Sequence, residues 1–173
     1  MIKALTTTVV LAASTLVAAS TTHATDPPST SKAGVVATFE GTTFDMSKGW
    51  GAANACNVTD TGVVCFRTEA AMERAITETP PTGRAANCST SLRLYDGTSH
   101  TGAVISLSTR SSVVSLSAYG FDNRTSSYRV GACSTSLYNG IGTSQYGGNT
   151  SANASATSMA SGWNNVISSV VIS

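Results

Sequence analysis

The amino-acid sequence predicts a mostly-β protein, two four-stranded units packed as a β-sandwich behind a small hairpin-plus-helix unit. Three observations carry that expectation. An internal repeat sets Cys88-Ser89-Thr90-Ser91-Leu92 against Cys133-Ser134-Thr135-Ser136-Leu137, and Gly120-Phe121-Asp122-Asn123 against Gly162-Trp163-Asn164-Asn165. Both copies close in β-type runs, Tyr128-Arg129-Val130 and Val170-Val171-Ile172, and each covers about 40 residues, the scale of one four-stranded motif. Ahead of the repeat, a helical stretch through Glu69, Met72, Ala75 and Ile76 follows two short alternating segments.

The N-terminal end is read first as a targeting segment. Lys3 gives a positive start, residues 4–19 are apolar with interspersed Ser and Thr, and Thr22-His23-Ala24 ends in a small residue, so a signal peptide is expected over 1–24. The apolar run is interrupted and short for a membrane span, which needs about 20 apolar residues. The mature chain is therefore expected to be secreted, extracellular and without a membrane span. Of 173 residues only 11% are charged, with a formal net charge of +1, and removing Lys3 leaves nine basic side chains against nine acidic. Such a balance lacks the broad basic face that nucleic acid requires. Nothing in the composition demands an oligomer, and a monomer is expected.

The elements then follow in order. Residues 25–34, with Pro27 and Pro28, have no apolar period and read as a flexible leader. Residues 35–85 form the hairpin-plus-helix unit. Val36 to Asp45 alternates around Glu40-Gly41 as a hairpin, and Thr68 is placed to cap a helix that Pro80-Pro81 must stop. Residues 86–173 hold the repeat.

In an exported chain, Cys56, Cys65, Cys88 and Cys133 read as two disulfides rather than a zinc site, since the mature chain keeps only His100 and no CxxC spacing. The Asp60-Thr61-Gly62 turn makes Cys56 with Cys65 the natural local pair, leaving Cys88 with Cys133, although four cysteines allow three connectivities.

The repeat also carries a paired loop motif. Asp122-Asn123-Arg124-Thr125-Ser126-Ser127 and Asn164-Asn165-Val166-Ile167-Ser168-Ser169 share two Asp/Asn positions, two free positions and two serines. At these residues the chain resembles the βγ-crystallin superfamily, in the secreted microbial form related to peptidase inhibitors and killer-toxin-like proteins. Tyr95 followed seven residues later by Gly102 resembles that family's first hairpin, with His100 where an aromatic is usual. The hairpin after Tyr138 departs from the spacing and leaves its register open. The resemblance implies two Greek-key motifs packed as a β-sandwich over 86–173.

It implies calcium as well. Calcium takes six to eight oxygens, which amide, carboxylate, hydroxyl and carbonyl groups supply. By resemblance the ligand positions are Asn123, the Arg124 carbonyl and Ser126, then Asn165, the Val166 carbonyl and Ser168, with Asp122 and Asn164 beside them in loops that share each site. Of the four Asp/Asn positions only Asp122 is acidic. Few anionic ligands imply weak binding, on the order of 10⁻⁴ to 10⁻³ M, and occupancy of as few as one site. The competing reading is plain turn chemistry, in which Asn, Asp and Ser oxygens bond nearby backbone amides.

Catalysis has little material. One mature histidine, read as solvated at a hairpin tip, and Glu69 with Glu73 on the wet side of a helix offer no arranged acid, base or nucleophile. Phe121 and Trp163 read as core anchors. Two function classes stand: a non-enzymatic calcium-binding module, and an interaction protein on the same fold, a peptidase inhibitor or killer-toxin-like protein whose partner would be an extracellular peptidase.

Overall fold

A computed structural model describes residues 34–79, 90–109 and 113–173. The expected signal peptide, the leader up to residue 33, Pro80-Pro81 and Cys88 lie outside the described residues.

The described residues open with β1 (Val36–Phe39) and β2 (Thr42–Asp45), an antiparallel hairpin. Its two-residue turn has positive φ at both Glu40 (48°) and Gly41 (81°), the backbone sense that matches strand twist. A second hairpin pairs β3 (Ala55–Thr59) with β4 (Gly62–Phe66). Cys56 stands directly opposite Cys65, their Cα atoms 4.0 Å apart, and the two are disulfide-bonded. Cys133 is also disulfide-bonded. Helix α1 (Glu69–Glu78) follows, and Thr68 caps it by accepting a hydrogen bond from the Ala71 amide.

The repeat folds as two interlocked Greek keys. Its first unit is β5 (Leu92–Tyr95), β6 (Val104–Leu107), β7 (Val114–Ser115) and β8 (Ser127–Arg129). The second is β9 (Thr135–Asn139), β10 (Ser144–Gln145), β11 (Ser155–Ala156) and β12 (Ser169–Ile172). Each unit keeps three strands together and gives its third to the opposite sheet: β7 pairs with β12, and β11 pairs with β8. The sheet orders are β11-β8-β5-β6-β3-β4-β1-β2 and β10-β9-β12-β7. Pairing of Asn139 with Ser144 fixes the hairpin register that the sequence left open.

The larger sheet continues past the Greek key because β3 lies parallel to β6, Ala55 beside Val104 through Val58 beside Leu107. Strand alternation sorts its side chains onto two faces. Leu92, Leu94, Ile105, Leu107, Cys56 and Val58 enter the sandwich core with Leu116, Phe121, Leu137 and Ile167. On the opposite face Ala55, Tyr95 and Val104 pack with Met72 of α1. Truncating one of the fully buried aliphatics to Ala would cost about 2 to 5 kcal/mol.

The wet-side reading holds for Glu73, which is exposed, but not for Glu69, which is half-buried. Arg93 on the sheet donates to both, and the Tyr95 hydroxyl donates to Glu69 Oε1 at 2.7 Å. Burial, reinforced by that carboxylate, pushes the Tyr95 phenol up to about 12. His100 is half-buried rather than fully solvated. Its ring packs against Tyr95 (centroids 5.3 Å apart), Nε2 lies 3.2 Å from the Tyr128 carbonyl, and Nδ1 lies 3.3 Å from Arg129 Nη2. The folded-over hairpin sets the imidazole against the Tyr95 ring.

Candidate metal loops

The first loop leaves β7 through a 3-10 turn, Leu116–Tyr119, that ends on Gly120 in the left-handed region (φ 62°). A side chain there would meet the Met46 carbonyl at 2.3 Å, so close approach as well as φ demands glycine. Phe121 then drops into the core, fully buried, and anchors the entry to residues 122–127. Trp163 enters the second loop equivalently but stays partly exposed, edge-on to Tyr146 at 5.3 Å. The core-anchor expectation therefore describes Phe121 fully and Trp163 in part.

Both loops turn at the second Asp/Asn position. Asn123 (φ 55°) and Asn165 (φ 57°) are left-handed, a conformation asparagine tolerates better than most residues. That turn makes the loops meet reciprocally. The Asn123 amide donates to the Ile167 carbonyl and the Asn165 amide to the Thr125 carbonyl, each at 3.0 Å. Side chains cross in the same pattern: Ser126 Oγ donates to Asn165 Oδ1 at 3.1 Å, and Ser168 Oγ donates to Asn123 Oδ1 at 3.2 Å. Residues far apart in sequence thus form two oxygen pairs, each with one member from either loop.

The sixth-position serines act differently. Ser127 Oγ donates to the Gly97 carbonyl and Ser169 Oγ to the Gly140 carbonyl, both at 2.6 Å, which ties each loop's end to its own unit's folded hairpin. Both serines are fully buried.

The first loop contains most of the electrostatic detail. Asp122 Oδ2 accepts from Asn123 Nδ2 at 3.3 Å, while Asp122 Oδ1 is buried with no hydrogen-bond partner. Asp122 therefore accompanies the Asn123–Ser168 pair. The corresponding Asn164 is exposed, and no carboxylate of its own loop stands beside the Asn165–Ser126 pair. Thr125, fully buried, also has an unpartnered hydroxyl, where the second loop has buried Ile167. Among the described residues no three His, Cys, Asp or Glu side chains gather as a metal cage. The donors are amide, hydroxyl and one carboxylate, a set suited to a hard cation and poor for zinc or copper.

Arg124 is more than a bearer of a carbonyl. Its guanidinium donates to the Gly120 carbonyl at 2.9 Å and to Asp96 Oδ2 at 2.6 Å, with its centre 4.9 Å from the Phe121 ring and 5.5 Å from that of Trp50. Val166, its counterpart, is partly buried. Sequence reasoning missed this cluster, although the repeat showed Asp96 against Asn139 and Arg124 against Val166, a charge pair confined to one copy.

No protein-family model matches the chain, and no curated protein matches it. Solved structures do. A βγ-crystallin from Ciona intestinalis is 20% identical, covering 47% of this chain and 98% of its own length with a TM-score of 0.40. A double mutant of a βγ-crystallin domain from Clostridium beijerinckii is 18% identical, covering 48% of this chain and 96% of its own, with a TM-score of 0.40. The N-terminal domain of Protein S is 20% identical, covering 49% of this chain and 96% of its own, with a TM-score of 0.39.

Proposed function

We propose that this is a secreted, non-enzymatic protein of βγ-crystallin type that binds calcium weakly through its two crossed loops. The reciprocal crossing of Asn123 with Ser168 and of Asn165 with Ser126 carries the reading, because simple turn chemistry bonds a side chain to its own loop rather than to a distant one. The unpartnered Asp122 Oδ1 adds a buried acceptor that a cation would satisfy.

The residues fit such an ion. Asn123, Ser168, Asp122 and the Val166 carbonyl would hold one; Asn165, Ser126 and the Arg124 carbonyl would hold the other. A bound calcium would supply positive charge to these oxygens, which a hydroxyl proton links now. Because binding replaces a hydrogen bond worth about 1 kcal/mol with ligands that are mostly neutral, the dissociation constants fall on the order of 10⁻⁴ to 10⁻³ M. Both ring nitrogens of His100 are taken up by structural contacts, which supports a role outside acid-base catalysis.

Thermal melting of the mature chain in about 10 to 100 mM calcium against chelator tests the reading. Calcium at a hundred times its dissociation constant should stabilise the fold by about 2.7 kcal/mol per occupied site, and magnesium, which demands a smaller regular shell, by much less. Equal melting in calcium and chelator would return the loops to turn chemistry.

A further inference from the structure

The two loops are near-copies, yet among the described residues only the first is braced from outside the repeat. Trp50, in the segment between the first two hairpins, stacks on Phe121 with centroids 5.4 Å apart and donates from Nε1 to the Tyr119 carbonyl at 2.7 Å. The Val35 amide donates to the Ala118 carbonyl at 2.9 Å, and the Met46 carbonyl lies against Gly120. Arg124 joins these parts, reaching Trp50, Phe121, the Gly120 carbonyl and Asp96 at once. Asp96 is fixed in turn, since its Oδ1 accepts from the Ala103 amide at 2.6 Å. At the second loop Val166 and Asn139 replace the charged pair.

We propose that Arg124 is a positioning residue through which the N-terminal hairpins hold the first loop in its ion-ready shape, leaving the second loop to be ordered by the ion. The inference rests on the calcium reading of the loops. Its logic is that of preorganisation: a guanidinium that donates in two directions and lies over aromatic faces is locked in one geometry, and fixing a loop before binding removes an ordering cost at binding. Asn123 and Ser126 contribute to different oxygen pairs, so loosening the first loop weakens both sites together.

The test uses the mature chain, with amide hydrogen exchange in chelator beside calcium titration. The Ser126 amide bonds the Tyr95 carbonyl and the Ser168 amide bonds the Tyr138 carbonyl, both at 2.8 Å, so these two report through equivalent hydrogen bonds. In the wild-type chain Ser126 should exchange at least about tenfold more slowly than Ser168. Arg124→Met should bring the two rates together and weaken calcium binding by about tenfold at both sites. Asp96→Asn, which keeps the acceptor for Ala103, should shift both readouts in the same direction by less, and it serves should Arg124→Met fail to fold. Equal wild-type rates, or calcium affinities unchanged in a folded variant, would overturn the positioning role alone. A wild-type chain that binds no calcium would overturn the calcium reading, and with it any role for Arg124 in ion binding, even with the exchange asymmetry intact.

Discussion

Replacing Thr125 by Val should stabilise the protein, an unusual direction for a substitution at a fully buried site. Thr125 sits inside the first loop with its hydroxyl unpartnered, and its repeat counterpart Ile167 shows that the position belongs to the apolar core. Valine keeps the branched shape and removes only the hydroxyl. Burying an unpaired hydroxyl costs about 1 to 3 kcal/mol by mutational measures, so Thr125→Val should gain about 1 kcal/mol or more. For a chain of this size each kcal/mol raises Tm by about 2 to 4 °C. Ser127→Ala is the opposing control. That hydroxyl donates to the Gly97 carbonyl and accepts from the His100 amide, so its loss should cost about 1 to 3 kcal/mol. Urea unfolding followed by fluorescence measures both, read as midpoint changes at constant slope. A Thr125→Val protein destabilised by more than about 0.5 kcal/mol would show that the hydroxyl has a partner, and the orphan argument would fall.

Two further outcomes follow from the fold. Replacing Cys56 and Cys65 together by Ala opens a loop of about ten residues and should cost about 2 to 3 kcal/mol in denaturant unfolding. Tyr95 keeps its proton longer in the folded state than in the unfolded one, where it titrates near 10.0, so its contribution is complete below pH 10 and is lost as pH rises toward about 12. Tyr95→Phe should start less stable, having lost the bond to Glu69, and fall less steeply across that window; parallel curves would refute the sign.

The repeat made the Greek keys legible in the sequence, because each loop motif precedes a β-type run and each Tyr precedes an Asp-Gly or Asn-Gly turn. The Cys56–Cys65 hairpin was legible for a local reason, a short turn between alternating segments. What escaped was non-local. The parallel pairing of β3 with β6 leaves no periodic mark, since Ala55 and Val104 would alternate in the same way with any neighbour. Glu69 and Glu73 carry helical spacing that suits the wet side, and only the position of Arg93 and Tyr95 on the sheet beneath draws Glu69 in while Glu73 pairs with Arg93 from the exposed edge. His100 looked solvated because a hairpin tip usually is; it is half-buried because the fold-over sets its ring against Tyr95 and its amide on Ser127, from another strand. Trp50 likewise gave no sign that its partner would be Phe121.

The central claim is that each ion site is shared between loops, and calorimetric calcium titration of alanine variants tests it most directly. The crossed geometry expects a particular grouping. Asn123→Ala and Ser168→Ala should weaken the same site, so that combining them costs little more than either alone, and Asn165→Ala with Ser126→Ala should behave likewise at the other. Asn123→Ala combined with Ser126→Ala, neighbours in one loop, should weaken both sites. Losses that group by loop instead of across loops would contradict shared sites.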